Sequence, residues 1–278
     1  MVEIGKLNKL CVKNKSTYGY NLEGGDLGDI LLLNKQTKEE LSAGDMVDVF
    51  VYMDSDEKLL ATMNQPKAMV GEFAYLKVVA LNRAGAFLDL GLAKDVLVRL
   101  SEQRVPMREG QSYVVYIFRE DEGMRLAASS KLDHYFNPDI AHYDEAQKVD
   151  ILVWEQTELG YKVIINNADL GLLYNTEIFH TLNIGQKTEA YIKKVRDDLK
   201  IDLVLQKPGY EKPDALSQKI IKKLQTSDGF IDVNDKSDAH EISRMFGVSK
   251  KKFKMAIGGL YKKRVIEISK EGIHLIEK

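Results

Sequence analysis

Residues 71–91, GEFAYLKVVALNRAGAFLDLG, decide the fold. Apolar and polar side chains alternate through its first half, the period of a half-buried β-strand. Asn82 to Gly85 then make a turn, and a second strand carries Phe87. Downstream, DVLVRLSE (95–102) supplies a short third strand. GQSYVVYIFREDEGMRLAAS (110–129) supplies two more, joined by an acidic turn that ends in Gly123. Five strands in about 60 residues is the content of a small closed barrel.

The same course is run three times. Gly85 and Gly110 lie 66 residues after Gly19 and Gly44, and Gly160 and Gly185 lie a further 75 along. The first copy runs through STYGYNLE (16–23), GDILLLNK (28–35) and GDMVDVFVYMDSDEKLLATM (44–63). The third runs through TELGYKVIIN (157–166), LGLLYNTE (170–177) and GQKTEAYIKKVRDDLKIDLVLQ (185–206). Repetition at a fixed spacing means one supersecondary unit used in tandem. Asp54, Asp56 and Glu57, the run Glu120 to Glu122, and Asp197 with Asp198 fall at one hairpin tip of each copy. There they read as solvated turn residues. Linkers are expected near 64–69, 131–147 and 207–213. The middle one, KLDHYFNPDIAHYDEAQ, is aromatic enough to pack on a barrel, and Asn137-Pro138 marks a turn in it.

After residue 206 the pattern changes. ALSQKIIKKLQ (215–225) has helical apolar spacing at Leu216, Ile220, Ile221 and Leu224, stopped by Gly229. SDAHEISRMFG (237–247) reads as a helix capped by Ser237 or Asp238 and ended by Gly247. Ser249 caps KKKFKMAIGGLYKKR (250–264). VIEIS and GIHLI then form a strand pair. Helix, helix, turn, helix and β-hairpin is the order of a winged helix. Gly258 and Gly259 cost roughly 1 kcal/mol each inside a helix, which predicts close packing of a neighbour against them.

The expected fold is mainly β with a C-terminal α+β domain: three tandem five-stranded barrels of the oligonucleotide-binding (OB) type at 1–64, 70–130 and 146–206, then a winged helix-turn-helix at 213–278. The 278 residues carry a net charge of −2, which hides an asymmetry: residues 207–278 hold 16 Lys and Arg against 10 Asp and Glu, the remainder 24 against 32. A basic tail on an acidic front makes the tail the part most attracted to polyanions. No apolar run is long enough for a bilayer and no signal segment opens the chain, so a cytoplasmic location with no membrane contact is expected. Cys11 reads as a small strand hydrophobe. His134, His142, His180, His240 and His274 lack metal-ligand spacing, and no phosphate loop or nucleophile elbow occurs. No enzyme activity, cofactor or metal is expected.

At GAFLDLG, DVLVRLSE and MRLAAS the second copy resembles the S-one domain, the RNA-binding barrel of ribosomal protein S-one. Three such barrels followed by MFGVSKKKFKMAIGGLYKKR (245–264) are similar to the conserved virulence factor B family, bacterial RNA-binding regulators of this domain order. The resemblance covers nearly the whole chain. It implies ligand positions on strands two, three and five: Ala84, Phe87, Arg99 and Arg125 in the second copy; Leu159, Lys162, Tyr174 and Lys200 in the third, with Tyr161, Trp154, Lys193, Lys194 and Arg196 nearby; and Tyr18, Asn21, Leu33 and Leu59 in the first. Aromatic faces stack on bases and cations follow phosphates. Phe87, Arg99, Arg125, Tyr161, Lys162, Tyr174, Lys200 and Tyr18 are therefore the candidate RNA contacts. The first copy, left with one aromatic, is expected to bind RNA weakly or to serve a structural or partner role. Strand alternation leaves open whether Ala86 or Phe87 faces inward, and Trp154 is expected to be partly buried.

On the tail, Lys250, Lys251, Lys252 and Lys254 crowd the start of the helix, where cations oppose the macrodipole and an external phosphate would relieve them. Lys262, Lys263 and Arg264 lie at its end, where cations complement the dipole. The function expected is single-stranded RNA binding by the second and third copies and the basic tail, in post-transcriptional control. A second class is a winged-helix transcription regulator that reads duplex DNA and uses its barrels to bind protein, and a third is a scaffold in which the winged helix packs on the third barrel or forms a dimer.

Overall fold

The computed structural model describes every residue except 55, 121–123, 138–141, 179–181, 199, 207–214, 263 and 277–278. Lys263, His180, the 207–213 linker, the Pro138 turn and the tip residues Asp121, Glu122 and Gly123 lie outside the described residues. Two compact units result, residues 1–205 and 206–278.

The first unit holds three closed five-stranded barrels. Barrel 1 comprises β1 (Leu7–Lys15), β2 (Gly19–Glu23), β3 (Asp29–Leu33), β4 (Met46–Met53) and β5 (Leu59–Thr62). Barrel 2 comprises β6 (Phe73–Leu81), β7 (Gly85–Leu88), β8 (Val96–Arg99), β9 (Ser112–Arg119) and β10 (Leu126–Ser129). Barrel 3 comprises β11 (Lys148–Gln156), β12 (Gly160–Ile165), β13 (Asp169–Tyr174), β14 (Lys187–Val195) and β15 (Ile201–Val204). The strand order is the same in each, β1-β2-β3-β5-β4 in the first. A short parallel pairing of third and fifth strands closes it, at Leu31 with Leu60, Leu97 with Ala127, and Leu172 with Asp202.

The two glycines of each copy have separate physical reasons. A Cβ on Gly19, Gly85 or Gly160 would sit 2.0, 2.1 or 1.9 Å from the carbonyl oxygen of Leu32, Val98 or Leu173, so only hydrogen lets the second strand approach the third. Gly44, Gly110 and Gly185 have φ of 94°, 81° and 83°, the left-handed region glycine enters freely. From there each amide donates to the first strand, to Val12, Val78 and Val153 at 2.8, 2.9 and 2.8 Å. Those valines begin a register shift in the first strand of each barrel, which places Trp154 at the irregularity in β11.

Barrels 2 and 3 are joined by an apolar seam of Phe73, Val114, Leu132, Leu152, Trp154 and Ile164. The described part of the 131–147 linker packs into it: Leu132 is fully buried, Tyr135 stacks on Tyr116 at 4.1 Å and Phe136 on Phe73 at 5.3 Å. Asn167 pins the seam, accepting from the Phe73 amide at 2.7 Å and donating to the Gly71 carbonyl at 3.1 Å. Arg104 grips Glu155 with both terminal nitrogens, at 3.0 and 3.2 Å, and lies over the Trp154 ring.

The second unit contains α1 (Ala215–Gln225), β16 (Phe230–Ile231), α2 (Ala239–Phe246), α3 (Lys250–Lys262), β17 (Ile266–Ile268) and β18 (Ile273–Leu275). Ile220, Leu224, Ile242, Phe246, Phe253, Ile257 and Leu260 form its core. Asp238 caps α2 by accepting from the His240 amide at 2.7 Å, while the neighbouring Ser237 hydroxyl accepts from Asn234. Gly247, at φ 73°, ends that helix. The expected strand pair is a three-stranded sheet, β16-β18-β17. β16 has two residues, too few for alternation to show. The expected packing against Gly258 and Gly259 is not found among the described residues, where a Cβ on either meets nothing within 4 Å. Among the described residues, no helix is long and apolar enough to cross a membrane.

Candidate nucleic-acid interface

Each barrel turns the residue after its anchor glycine inward, so Tyr20, Ala86 and Tyr161 are core residues. The next position faces out, which puts Asn21, Phe87 and Lys162 on one common face. This corrects the expectation for Tyr161. Its ring is 9% exposed among Val153, Val163 and Leu173 and has no face to offer a base. Phe87 is half-buried, while Ala86 occupies the core.

On barrel 3 this face is a groove of about 610 Å³, lined among others by Leu159, Lys162, Tyr174, Arg196 and Lys200. Tyr174 stands opposite Gly160 in the ladder, and the Arg196 guanidinium bonds its hydroxyl and lies 5.8 Å from its ring centre. Asp202 fixes Arg196 from behind with two bonds of 2.9 Å. Lys162 reaches Glu155 at 3.2 Å and lies over Trp154 at 5.1 Å. Lys200, 71% exposed, pairs with Asp198 at 2.9 Å. That hydrogen bond lowers the Asp198 carboxyl below its usual value. Asp169, buried at the groove's edge, accepts from Tyr143 at 2.7 Å, and its Oδ1 has no partner among the described residues. Burial, followed by the bond to Asp169, pushes the Tyr143 phenol up. An apolar floor, the half-buried Tyr174 ring and three cations are the groups that can hold a stacked base beside phosphates.

On barrel 2 the equivalent positions are Phe87, Arg99 and Arg125, which line a smaller groove of about 250 Å³. Arg99 takes the place of Tyr174 opposite its glycine, and its Nε donates to Glu120 at 2.7 Å. Glu120 and Arg196 hold the same station, the residue whose amide closes the hairpin tip, bonding to Arg125 and Lys200 respectively. Both barrels thus join a strand-three side chain to the hairpin base, by an ion pair in one and by a ring and guanidinium in the other.

Barrel 1 departs from the expected alignment. Its β4–β5 hairpin is one residue shorter than the β9–β10 hairpin, because Asp54 bonds to Lys58 where Glu120 bonds to Arg125. The counterpart of Arg125 and Lys200 is therefore Lys58, and the expected Leu59 is displaced by one. A constant offset from Gly44 hides this. Tyr18 is 74% exposed at the loop before β2. Asn21 bonds Asn14 at 2.8 Å instead of offering a cation.

On α3, Lys251, Lys252 and Lys254 are exposed, with Met255 and Tyr261 beside them. Lys250 is partly buried and caps inward on the Lys236 carbonyl at 3.1 Å, so it is the least available of the four. Lys254 stands 3.7 Å from Asp235. Lys262 and Arg264 are exposed at the helix end, Arg264 with φ 54° in the turn. The Ser249 hydroxyl accepts from Lys252 at 3.4 Å, capping α3.

Tandem OB barrels with a winged helix define a class of protein assembled from nucleic-acid-binding domains. Residues 4–64 match the S1 domain family, and residues 218–275 match the CvfB-like winged helix domain. Beyond these two domains, the chain is similar over nearly its whole length to proteins named conserved virulence factor B. Conserved virulence factor B of Staphylococcus saprophyticus is 25% identical over 99% of this chain and 95% of its own length. That of Staphylococcus aureus strain USA300 is 27% identical over the same shares. The protein YitL of Bacillus subtilis is 27% identical over 93% of this chain and 89% of its own. A crystal structure of a multidomain protein with nucleic acid binding domains from Streptococcus pneumoniae is 23% identical and covers 98% of both chains, with a TM-score of 0.43. The matched domain families are nucleic-acid-binding and not enzymatic.

Proposed function

We propose that this protein binds single-stranded RNA through the outer faces of barrels 2 and 3 and the basic α3, and that it acts in post-transcriptional control of gene expression in the cytoplasm. The observation that carries this is the barrel 3 groove, where Tyr174, Lys162, Arg196 and Lys200 gather around an apolar floor. Stacking contributes about 1–3 kcal/mol per base, so removing Tyr174 and Lys200 together is expected to weaken an oligoribonucleotide complex by roughly 10- to 100-fold. Fluorescence anisotropy at fixed salt with Tyr174→Ala/Lys200→Ala measures this, and unchanged affinity refutes the site.

The exposed Lys251 and Lys252 on α3 favour a second reading, duplex DNA bound by the winged helix with the barrels engaging protein. Competition between duplex DNA and single-stranded RNA of equal length separates the two. RNA is expected to win, and preference for the duplex selects the second.

A further inference from the structure

We propose that the acidic β4–β5 hairpin tip of barrel 1 is an internal competitor for the phosphate-binding face of barrel 2, so that this face engages RNA only when the tip is displaced. The inference rests on the reading that the barrel faces bind single-stranded RNA.

The groove on barrel 2 is not built by barrel 2 alone. Tyr52, Met53 and Asp54, from the end of β4 and its turn, form one wall; Phe87, Arg99 and Arg125 form the other. Across it, Glu57 Oε1 of the tip stands 3.5 Å from the Arg125 guanidinium. The Asp54 carboxyl lies in the field of Lys94, a second cation of the same groove. It sits below its usual value: burial opposes this, but hydrogen bonds from the Lys58 and Asp56 amides and the Lys94 charge outweigh burial. A carboxylate offers a guanidinium the same pair of acceptor oxygens that a phosphodiester does. Two acids of barrel 1 therefore stand where the phosphates of a bound strand would lie.

The contact is weak enough to yield. Glu57 and Arg125 are 70% and 45% exposed, and exposed pairs of this kind contribute little and are screened by salt. RNA presents several phosphates and gains further by releasing counterions. Among the described residues, no acid of a neighbouring barrel lines the barrel 3 groove, which is formed by strands and turns of barrel 3 itself and by Phe136 and Asn137 of the preceding linker. The two faces then differ in rank: barrel 3 is open, and barrel 2 is filled second. The acidity of barrel 1, which suits an RNA-binding module poorly by itself, acquires a use.

The test compares the full-length protein with Asp54→Asn/Glu57→Gln, a pair that keeps side-chain size and the acceptor at position 54. The probe is oligouridylate, read by anisotropy and by ultraviolet crosslinking with peptide mapping. The expected result is a roughly three- to tenfold gain in affinity, new crosslinks to the peptide carrying Phe87, and loss of both when Arg125→Ala is added. Asp26→Asn/Glu39→Gln, which removes equal charge elsewhere on barrel 1, is expected to change neither. If the wild type binds but the tip variant gains nothing, the competitor is refuted and the proposed function stands. A gain that survives Arg125→Ala, or that the remote pair reproduces, also refutes the competitor. If neither wild type nor tip variant binds, the proposed function falls and the competitor falls with it.

Discussion

Glycine to alanine adds one methyl group, and in this protein the same change is expected to act with opposite sign at two positions. At Gly160 the new Cβ would lie 1.9 Å from the Leu173 carbonyl oxygen and 2.9 Å from its carbon, both rigid backbone. The chain there has φ of 156°, which L-residues seldom adopt, at a cost of about 1–3 kcal/mol. Relief requires β12 to part from β13 at the Gly160–Tyr174 rung, which strains ladder bonds contributing about 1 kcal/mol each. Gly160→Ala is therefore expected to destabilise by about 3 kcal/mol. At Gly258, inside α3, the Cβ meets nothing within 4 Å, so alanine contributes its helix propensity of about 1 kcal/mol without a clash. Gly259→Ala adds as much again. Urea denaturation followed by hydrogen exchange, with peptides assigned to 148–204 and to 215–275, reads the two effects separately. Gly160→Ala should raise exchange in barrel 3, and Gly258→Ala/Gly259→Ala should lower it in the winged helix. A stable Gly160→Ala barrel would show that close approach is not what the anchor glycines serve, and a destabilised helix variant would show that something does pack on Gly258.

The seam between barrels 2 and 3 gives a second expectation: Asn167→Ala strands the Phe73 amide and is expected to cost about 1–3 kcal/mol, seen as faster exchange at Phe73 with barrel cores intact. On the tail, Lys251→Ala/Lys252→Ala should weaken nucleic-acid binding uniformly across sequences and reduce the slope of log affinity against log salt by about 2, measured by salt titration.

Much of the architecture was legible because it rests on local periods. The glycine pairs mark three copies through spacing alone, and the caps Asp238, Ser249 and Gly247 act on their own helix termini. The ligand face was legible only in part. Alternation separates the two faces of β12 but does not say which one is core, so Tyr161 looked as suitable as Lys162. Packing among Val153, Val163 and Leu173 decided it. A one-residue difference in hairpin length moved the barrel 1 cation from an expected vacancy at Leu59 to Lys58, and only the backbone bond from Asp54 reveals that. Asn167 carries no sequence signal for its partners, which lie 94 and 96 residues away.

The sequence by itself determined the threefold repeat, the barrel content, the winged-helix order and the charge division between front and tail, since each follows from the chemistry of neighbouring residues. Tertiary structure alone decided which cations are engaged and by whom. Arg125 faces Glu57 of another barrel, Tyr174 is held by Arg196, and Trp154 lies beneath Arg104 and Lys162. Such pairings depend on distances set when barrels close and pack. Electrostatic and stacking energies fall off over a few ångströms, so the function of an ionic side chain is set by its spatial partner and not by its place in the chain.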